Sequence, residues 1–280
     1  MNNSNRDSLC IVCEVFRATK MGFLCDSCAN DPFKVEMLRA KLVNKKDLFN
    51  LRRTYSLTLR EIKNINTKDF WDKKLKHKSE GINDPMTEDR INIINRKVRQ
   101  IKGKLLDIGF GRGELEKKLD SCSNIDIYGI DISNFAVKRA KANLRGKFLQ
   151  GSIRNIPFRD DNFNVVLALE VLEHIPPSKT FEALGELNRM LEPKGILIVS
   201  VPLNEGLEDL IKRGKNPNGH VRVYTSLLIE AELKMAGFRI EEIKFLYAFK
   251  NLYFLKKILQ KTILQKCWQP NDMIVFAHKP

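Results

Sequence analysis

The segment 105–113 (LLDIGFGRG) is the first part of the chain whose residue types indicate chemistry, because it contains Gly109, Gly111 and Gly113. Glycine allows positive φ angles and lets a ligand approach the main chain closely. Asp131 lies 22 residues after Gly109, at the end of the next apolar segment. A carboxylate there can accept hydrogen bonds from both ribose hydroxyls of a nucleoside. Loop and acid together predict a nucleoside-cofactor site; the alternative is a glycine turn with a helix-capping aspartate.

The residues after the glycines indicate which nucleoside cofactor would fit. A dinucleotide site carries G-x-G-x-x-G and places a pyrophosphate at the helix N-terminus. This chain has G-x-G-x-G followed by Glu114 and Glu116. Acidic residues in the first turn of a helix disfavour a phosphate. We therefore expect a cofactor that lacks a phosphate and carries a sulfonium and an amino-acid tail.

Four cysteines near the start of the chain form two C-x-x-C pairs separated by 11 residues: Cys10, Cys13, Cys25 and Cys28. Four thiolates in two turns can close a tetrahedral structural zinc site. Zinc would also explain how the segment 1–32 folds without a core of its own. Iron or metal-free thiols are the alternatives. We expect the remaining cysteines, Cys122 and Cys267, to be ordinary buried thiols.

The elements that must position these residues alternate between short apolar strands and amphipathic helices from Lys104 onward. Strands are predicted at 105–109, 125–131, 147–151, 163–169, 195–201, 238–246 and 272–279. Helices are predicted at 112–120, 133–145, 178–192 and 226–236. Nearly continuous apolar strands between helices indicate a parallel sheet covered on both faces. The predicted fold is α/β: a doubly wound, mostly parallel, Rossmann-like seven-stranded sheet with an antiparallel last strand, preceded by a small zinc module and helices.

The segment 104–201 resembles a class I S-adenosylmethionine-dependent methyltransferase, of the type 11 group that includes ubiquinone- and menaquinone-biosynthesis enzymes. The matching stretches are LLDIGFGRGELEKKL, YGIDIS, GSIRNIPFRDDNFNVVLALEVLEHI and LEPKGILIVSVP. The resemblance implies S-adenosylmethionine as cofactor and Asp131 as its ribose ligand, with Ile132 beside it. It further implies that Asp107 orients the glycine loop and the cofactor's amino group, and that Ile153 contacts the adenine. Ser152 stands where the family often has an aspartate near the adenine amino group.

Candidates for the catalytic role come from two segments. Glu170 and His174 follow the fourth predicted strand, and ligands bind beyond the carboxyl ends of strands in open α/β sheets. Methyl transfer needs an aligned acceptor and often a base, for which the ordinary pKa of histidine is suitable. The alternative for His174 is that it caps a helix or packs at the edge of the cleft.

His220 is the second candidate base, and it stands in PNGHVRVYT (217–225) with Arg222 and Tyr224. By resemblance this segment borders the acceptor pocket. A histidine beside an arginine can orient an anionic or hydroxyl acceptor. The alternative is a structural clamp, in which Arg222 pairs with a carboxylate and Thr225 caps a helix. Of the two histidines, we expect His220 to matter more.

Composition sets the class of protein. The chain has 280 residues, of which 43% are hydrophobic, and this content excludes wholesale disorder. The sequence has no run of about 18 consecutive apolar residues, so we expect no transmembrane segment. The N-terminus lacks a signal-peptide pattern. Six cysteines are too few for a disulfide scaffold, so we expect a cytoplasmic protein.

The net charge of +15 is unevenly distributed, with +9 in residues 1–103, +1 in 104–249 and +5 in 250–280. We assign a zinc module to 1–32, a helical linker or substrate-side extension to 33–103, and the methyltransferase domain to 104–280. The segment 250–270 is a basic amphipathic insertion, which suits contact with an anionic membrane, a pocket cap or an ordinary surface helix. A general drift of composition toward lysine is the alternative to a polyanionic partner.

Three functions fit these features. The first is methyl transfer to an oxygen or carbon centre of a small-molecule or lipid-linked acceptor. The second is an RNA methyltransferase that holds rRNA or tRNA with its basic N-terminal region. The third is a non-catalytic cofactor-binding module. The Asn/Asp-Pro-Pro-Tyr/Phe tetrapeptide of enzymes that methylate exocyclic base nitrogens is absent from the sequence, which disfavours that chemistry without excluding RNA.

Overall fold

The computed structural model describes residues 64–77, 84–176, 179–203, 205, 207–249, 253–260 and 268–280. The predicted zinc module at 1–32, with its four cysteines, lies outside these residues, and so does Cys267. The first part of the predicted helical extension 33–103, residues 33–63, also lies outside them, and the description below begins at Asn64.

A single sheet organises the described part of the chain. Its strands are β1 (Gly103–Ile108), β2 (Ile125–Asp131), β3 (Lys147–Gln150), β4 (Phe163–Leu169), β5 (Leu191–Pro202), β6 (Arg239–Leu246) and β7 (Asp272–His278). The strand order is β3-β2-β1-β4-β5-β7-β6. Strands β1 to β5 pair in parallel, and β7 runs antiparallel between β5 and β6. The doubly wound sheet with an antiparallel last strand is therefore confirmed.

Helices cover both faces of the sheet. They are α1 (Lys68–Lys76), α2 (Pro85–Val98), α3 (Glu114–Leu119), α4 (Asn134–Asn143), α5 (Thr180–Met190), α6 (Leu207–Lys212), α7 (Ser226–Met235) and α8 (Tyr253–Gln260), with a 3-10 turn at Leu172–His174. Thr67, Ser133 and Thr225 begin α1, α4 and α7 by accepting a hydrogen bond from the main-chain N–H three residues later. Among the described helices, none is long and apolar enough to cross a bilayer.

The core lies in two layers, one on each face of the sheet. On one face, Leu106 of β1 belongs to a cluster with the inward side chains of α5 and α7. On the other face, Leu105 of β1 joins a cluster with α2, α3 and α4, and this cluster includes the buried thiol of Cys122. Because neighbouring residues of one strand are buried on opposite faces, the strands are apolar without alternation.

The strand order also determines where a ligand can bind. The chain reverses its direction of winding between β1 and β4, which pair directly. Loops after the carboxyl ends of those strands turn away from each other and leave a crevice. The glycine loop after β1, Asp131 at the end of β2 and Glu170 after β4 all lie at that edge.

Candidate active site

A cavity of about 240 Å³ lies at the carboxyl edge of β1, β2 and β4. It brings together most of the site residues predicted from the sequence: Gly109, Gly111, Asp131, Ile132, Ser152, Ile153, Glu170 and His174. Asp107, Gly113 and His220 are not among the described residues that line it.

The glycine loop exposes its main chain to this cavity. Gly109, Gly111 and Gly113 have φ angles of 73°, 56° and 69°, which L-residues rarely adopt. A Cβ atom on Gly109 would lie 2.7 Å from Cγ2 of Val171, whereas a Cβ on Gly111 would meet nothing nearer than 3.9 Å. Gly109 is thus required by packing. At Gly111 the missing side chain leaves space that a bound nucleoside can use.

Asp131 connects the glycine loop to the start of α4. Its Oδ2 accepts a hydrogen bond from the N–H of Gly111 at 2.9 Å, and its Oδ1 accepts one from the N–H of Ser133 at 2.8 Å. Burial raises the pKa of Asp131, and these two hydrogen bonds act in the opposite direction. The carboxylate lines the cavity with spare acceptor capacity, so it fits the ribose hydroxyls of a nucleoside.

Asp107 lies in β1 behind the glycine loop, buried next to Glu116 of α3. Burial, followed by the charge of Glu116, raises the pKa of Asp107 well above its ordinary value. Within the described part of the chain, Oδ1 of Asp107 and both carboxylate oxygens of Glu116 lack a hydrogen-bond partner. Glu116 lies in the first turn of α3, as predicted, but its side chain is buried next to Asp107 of β1.

The carboxylate of Glu170 is held from two sides. Glu170 has a φ of 55°, unusual for a residue with a side chain, and its N–H donates to the carbonyl of Ser200 at 3.0 Å. The hydroxyl of Ser200 donates to Oε1 of Glu170 at 2.8 Å, and Nη1 of Arg90 lies 3.0 Å from the same oxygen. Arg90 of α2 also pairs with the buried Asp272 of β7. Arg90, Ser200 and Asp272 were not predicted from the sequence, and their spacing along the chain offers no signal for them.

His174 stands at the edge of the cavity, so it packs at the cleft edge rather than capping α5, which begins at Thr180. Its ring contacts Trp71 edge-on, with centroids 4.7 Å apart, and lies 4.9 Å from the ring of His220. Burial, assisted by the neighbouring His220, lowers the pKa of His174 to about 3. The imidazole of His174 is therefore neutral at physiological pH.

Arg222 and Tyr224 form a structural clamp, which was the alternative to a role in binding the acceptor. Arg222 is fully buried and pairs with Glu232 of α7 and with the hydroxyl of Thr180 of α5. The hydroxyl of Tyr224 donates to Glu232 at 3.0 Å. Thr225 caps α7, as the same alternative expected. These contacts join α7 to α5, and neither Arg222 nor Tyr224 is among the described residues that line the cavity.

Helix α1 contributes Trp71 and Leu75 to the cavity lining, and Trp71 lies next to His174. The side-chain amide of Asn66 donates to the carbonyl of Gly219 at 2.7 Å, which ties the start of α1 to the segment that carries His220. Asp72 accepts a hydrogen bond from the N–H of Phe135 at 2.9 Å, at the start of α4. Helical periodicity predicted helices in this part of the chain, but it did not indicate that one of them closes the cavity.

Comparisons with known proteins agree with this geometry. Residues 106–199 match the family described as a methyltransferase domain. An uncharacterised protein of Methanocaldococcus jannaschii is 30% identical over 198 residues, which cover 68% of this chain and 79% of that protein. The ubiquinone biosynthesis O-methyltransferase of Azorhizobium caulinodans is 32% identical over 165 residues, which cover 53% of this chain and 64% of that enzyme. The chain therefore matches less than two thirds of the latter relative's length.

The fold also matches a solved structure at low sequence identity. The N-methyltransferase NodS from Bradyrhizobium japonicum, solved in complex with S-adenosyl-L-homocysteine, superposes with a TM-score of 0.58. The two sequences are 15% identical, and the match covers 77% of this chain and 99% of that one. At this identity the likeness shows a shared fold.

Proposed function

Because the chain belongs to the class I S-adenosylmethionine-dependent methyltransferases, we propose that it methylates an oxygen or carbon atom of a small-molecule or lipid-linked acceptor. The observation that carries the proposal is one cavity whose lining includes two sets of residues. Asp131 and the glycine loop form the first set, called here the nucleoside end, and Trp71 and His174 belong to the second, called here the acceptor end. A nucleoside cofactor and an acceptor could therefore meet in the same space.

The residues at the nucleoside end fit S-adenosylmethionine, which supplies an electrophilic methyl group when bound. Asp131 would accept hydrogen bonds from the ribose hydroxyls, and Gly111 would let the cofactor approach the main chain. Ser152 and Ile153 would contact the adenine. Glu170, held by Ser200 and Arg90, presents a carboxylate that suits a cationic group of the cofactor.

Trp71, Leu75 and Ile175 are the apolar side chains of the acceptor end. The polar side chains of the cavity lining there include His174 and Asn66, whose amide donates to the carbonyl of His174 at 3.3 Å. The apolar side chains favour an acceptor with a large apolar part. The name of the Azorhizobium relative, an O-methyltransferase of ubiquinone biosynthesis, supports a hydroxyl oxygen as the acceptor atom.

Helix α8 supports an acceptor linked to a lipid. Among the residues that the structure describes, Leu255 and Ile258 are large apolar side chains on its surface, 51% and 64% exposed. Lys257 pairs with Asp89, which ties α8 to α2. An exposed apolar face on a basic segment suits contact with an anionic membrane surface. Partition of the full chain into anionic liposomes, lost on replacing Leu255 and Ile258 by serine, would support this contact.

A labelling experiment separates the three functions. The full chain is incubated with S-adenosylmethionine carrying a labelled methyl group, together with total lipid and metabolite extract or with total RNA. Label in the solvent-extractable small molecules is the expected result. Label in RNA would instead support the RNA methyltransferase suggested by the basic N-terminal region. Tight cofactor binding without any labelled product would support the non-catalytic module.

We also propose that the two C-x-x-C pairs hold one structural zinc ion. The spacing of Cys10, Cys13, Cys25 and Cys28 supports this proposal, since four thiolates are a complete zinc ligand set. The module would lie in the same third of the chain as the net charge of +9.

A further inference from the structure

We propose that a second cavity, between the glycine loop, α3 and α4, binds a phosphate group. The inference goes beyond the proposed function and does not rest on it. This cavity has a volume of about 200 Å³. The described residues that line it are three cations, an amide and an aliphatic side chain: Arg112, Lys117, Arg139, Asn143 and Leu144. None of these residues lines the cofactor cavity, and none carries a carboxylate.

The second cavity forms where the end of α4 packs against the glycine loop. A Cβ atom on Gly113 would lie 2.4 Å from Cδ1 of Leu144, so the glycine allows the two segments to come this close. Arg139 and Asn143 lie one turn apart on α4 and therefore share a face of that helix. The tertiary fold thus brings cations from a loop and two helices to one concave site.

The cations of this cavity carry more positive charge than their partners compensate. Nη2 of Arg112 donates to the carbonyl oxygen of His77 at 2.7 Å, which is a neutral acceptor. Nζ of Lys117 lies 3.0 Å from the carboxylate of Glu114. Within the part of the chain that the structure describes, the guanidinium of Arg139 has neither an ion pair nor a hydrogen bond. Three cations therefore share one carboxylate, and an anion in the cavity would supply the missing counter-charge.

The sequence around α4 adds to this positive charge. Between Asp131 and Asp160 the chain has seven Lys or Arg residues and no Asp or Glu. The segment 104–249 as a whole has a net charge of only +1, so the rest of it is net negative. A general drift of composition toward lysine does not account for cations gathered in one segment that lacks acids. Lys138 and Lys141 are exposed on α4 and extend the positive potential around the cavity, which attracts anions.

The lining indicates which anion the cavity would take. Guanidinium groups donate paired N–H bonds that match the oxygens of a phosphate, and lysine adds a point charge. No aromatic side chain is among the described lining residues, so the cavity offers no surface on which a nucleobase could stack. The recognised group is therefore the phosphate itself. Free phosphate, or a small phosphorylated molecule, and the headgroup of an anionic phospholipid both present this chemistry.

Isothermal titration of the full chain with sodium phosphate tests the site, at constant ionic strength because salt screens exposed charges. We expect one phosphate site per chain. Arg139→Gln should weaken phosphate binding by at least about tenfold, since it removes a charged donor. Lys141→Gln is the matched control, because it removes one charge from the same helix at a position outside the described lining. Its phosphate affinity should stay within about twofold of that of the unmodified chain.

Glu114→Gln separates a specific effect from damage to the fold, because it should strengthen phosphate binding. Removing the carboxylate beside Lys117 leaves that ammonium group available to the anion, and we expect a gain of about twofold to fivefold. Calorimetry with S-adenosylmethionine on the same samples verifies that each variant is folded. It also tests the cofactor site separately, so a failure of the phosphate site leaves the methyltransferase proposal intact.

Sedimentation with vesicles of phosphatidylglycerol distinguishes the two sources of phosphate. A headgroup ligand predicts that Arg139→Gln weakens vesicle binding by at least about tenfold while Lys141→Gln does not. A free phosphate ligand predicts the same difference in the titration and equal vesicle binding by the two variants. Either result supports the site. If neither assay separates Arg139→Gln from Lys141→Gln, any binding comes from the general positive charge, and the phosphate site is overturned.

Discussion

Replacing Arg90 by methionine should destabilise the protein and weaken cofactor binding together. Arg90 reaches from α2 across the end of the sheet, and its side chain is 12% exposed. It lies 3.0 Å from Glu170 and also pairs with Asp272, which is 1% exposed. Burial alone would lower the pKa of Arg90, but the charges of Glu170 and Asp272 raise it above its ordinary value. Methionine keeps an apolar chain of similar length and removes the guanidinium group with its charge and its hydrogen bond to Asp272.

The magnitude follows from the carboxylates that would be left behind. Removing one partner of a buried ion pair costs about 3–5 kcal/mol, because the remaining charge is buried without compensation. For a domain of this size, each kcal/mol lowers the melting temperature by roughly 2–4 °C, so we expect a decrease of roughly 6–20 °C. Arg90→Lys should restore part of the loss, since it returns the charge without the planar guanidinium.

Lys97→Met provides the control on the same helix. Lys97 pairs with Glu241 at 3.4 Å, and both side chains are substantially exposed, so its loss should cost less than about 1 kcal/mol. Differential scanning calorimetry measures stability, and isothermal titration with S-adenosylmethionine measures affinity. Arg90→Met should lower both, because Glu170 loses one of its anchors at the cavity. If Arg90→Met melts within the range of Lys97→Met, the buried network does not stabilise this fold and the reasoning is refuted.

Three further predictions concern the cofactor loop and the N-terminal module. Asp131→Ala should weaken S-adenosylmethionine binding by about 5–150-fold, the equivalent of about 1–3 kcal/mol. Gly111→Val should also weaken binding, because the valine side chain would fill part of the cavity. Asp126→Ala, on the exposed face of β2, is the control, and calorimetry that finds the affinity of both site variants unchanged would contradict the site. The pKa of Asp107 is raised in the folded protein, so ionisation of Asp107 opposes folding once the pH rises above the pKa of the unfolded chain, near 4. The melting temperature of Asp107→Asn should therefore increase relative to that of the native protein between pH 5 and 8. A difference in melting temperature that does not change with pH would argue against burial as the cause. Elemental analysis under reducing conditions should find one zinc ion per chain that Cys28→Ser releases, and a metal-free native chain would contradict the module.

Local patterns in the sequence were sufficient for the sheet and the glycine loop. The observed bounds of β2 and β4 coincide with the predicted segments 125–131 and 163–169. β5 begins at Leu191, four residues before the predicted start, because Pro193 and Lys194 interrupt the apolar pattern without ending the strand. Residues 109–113 and Asp131 could be assigned because a positive φ and a strand end are properties of neighbouring residues.

Only the tertiary structure decided which distant charges meet. Arg90, Glu170 and Asp272 come from α2, the end of β4 and β7, and no spacing in the chain relates them. Glu170 of the EVLEH segment was predicted from the sequence, and only the fold shows that the nearby Glu173 is buried close to His174 and His220. Periodicity encodes the conformation of a segment and the face it buries. The way in which helices and strands pack against one another determines which of their side chains come within a few ångströms. Electrostatic chemistry depends on that distance.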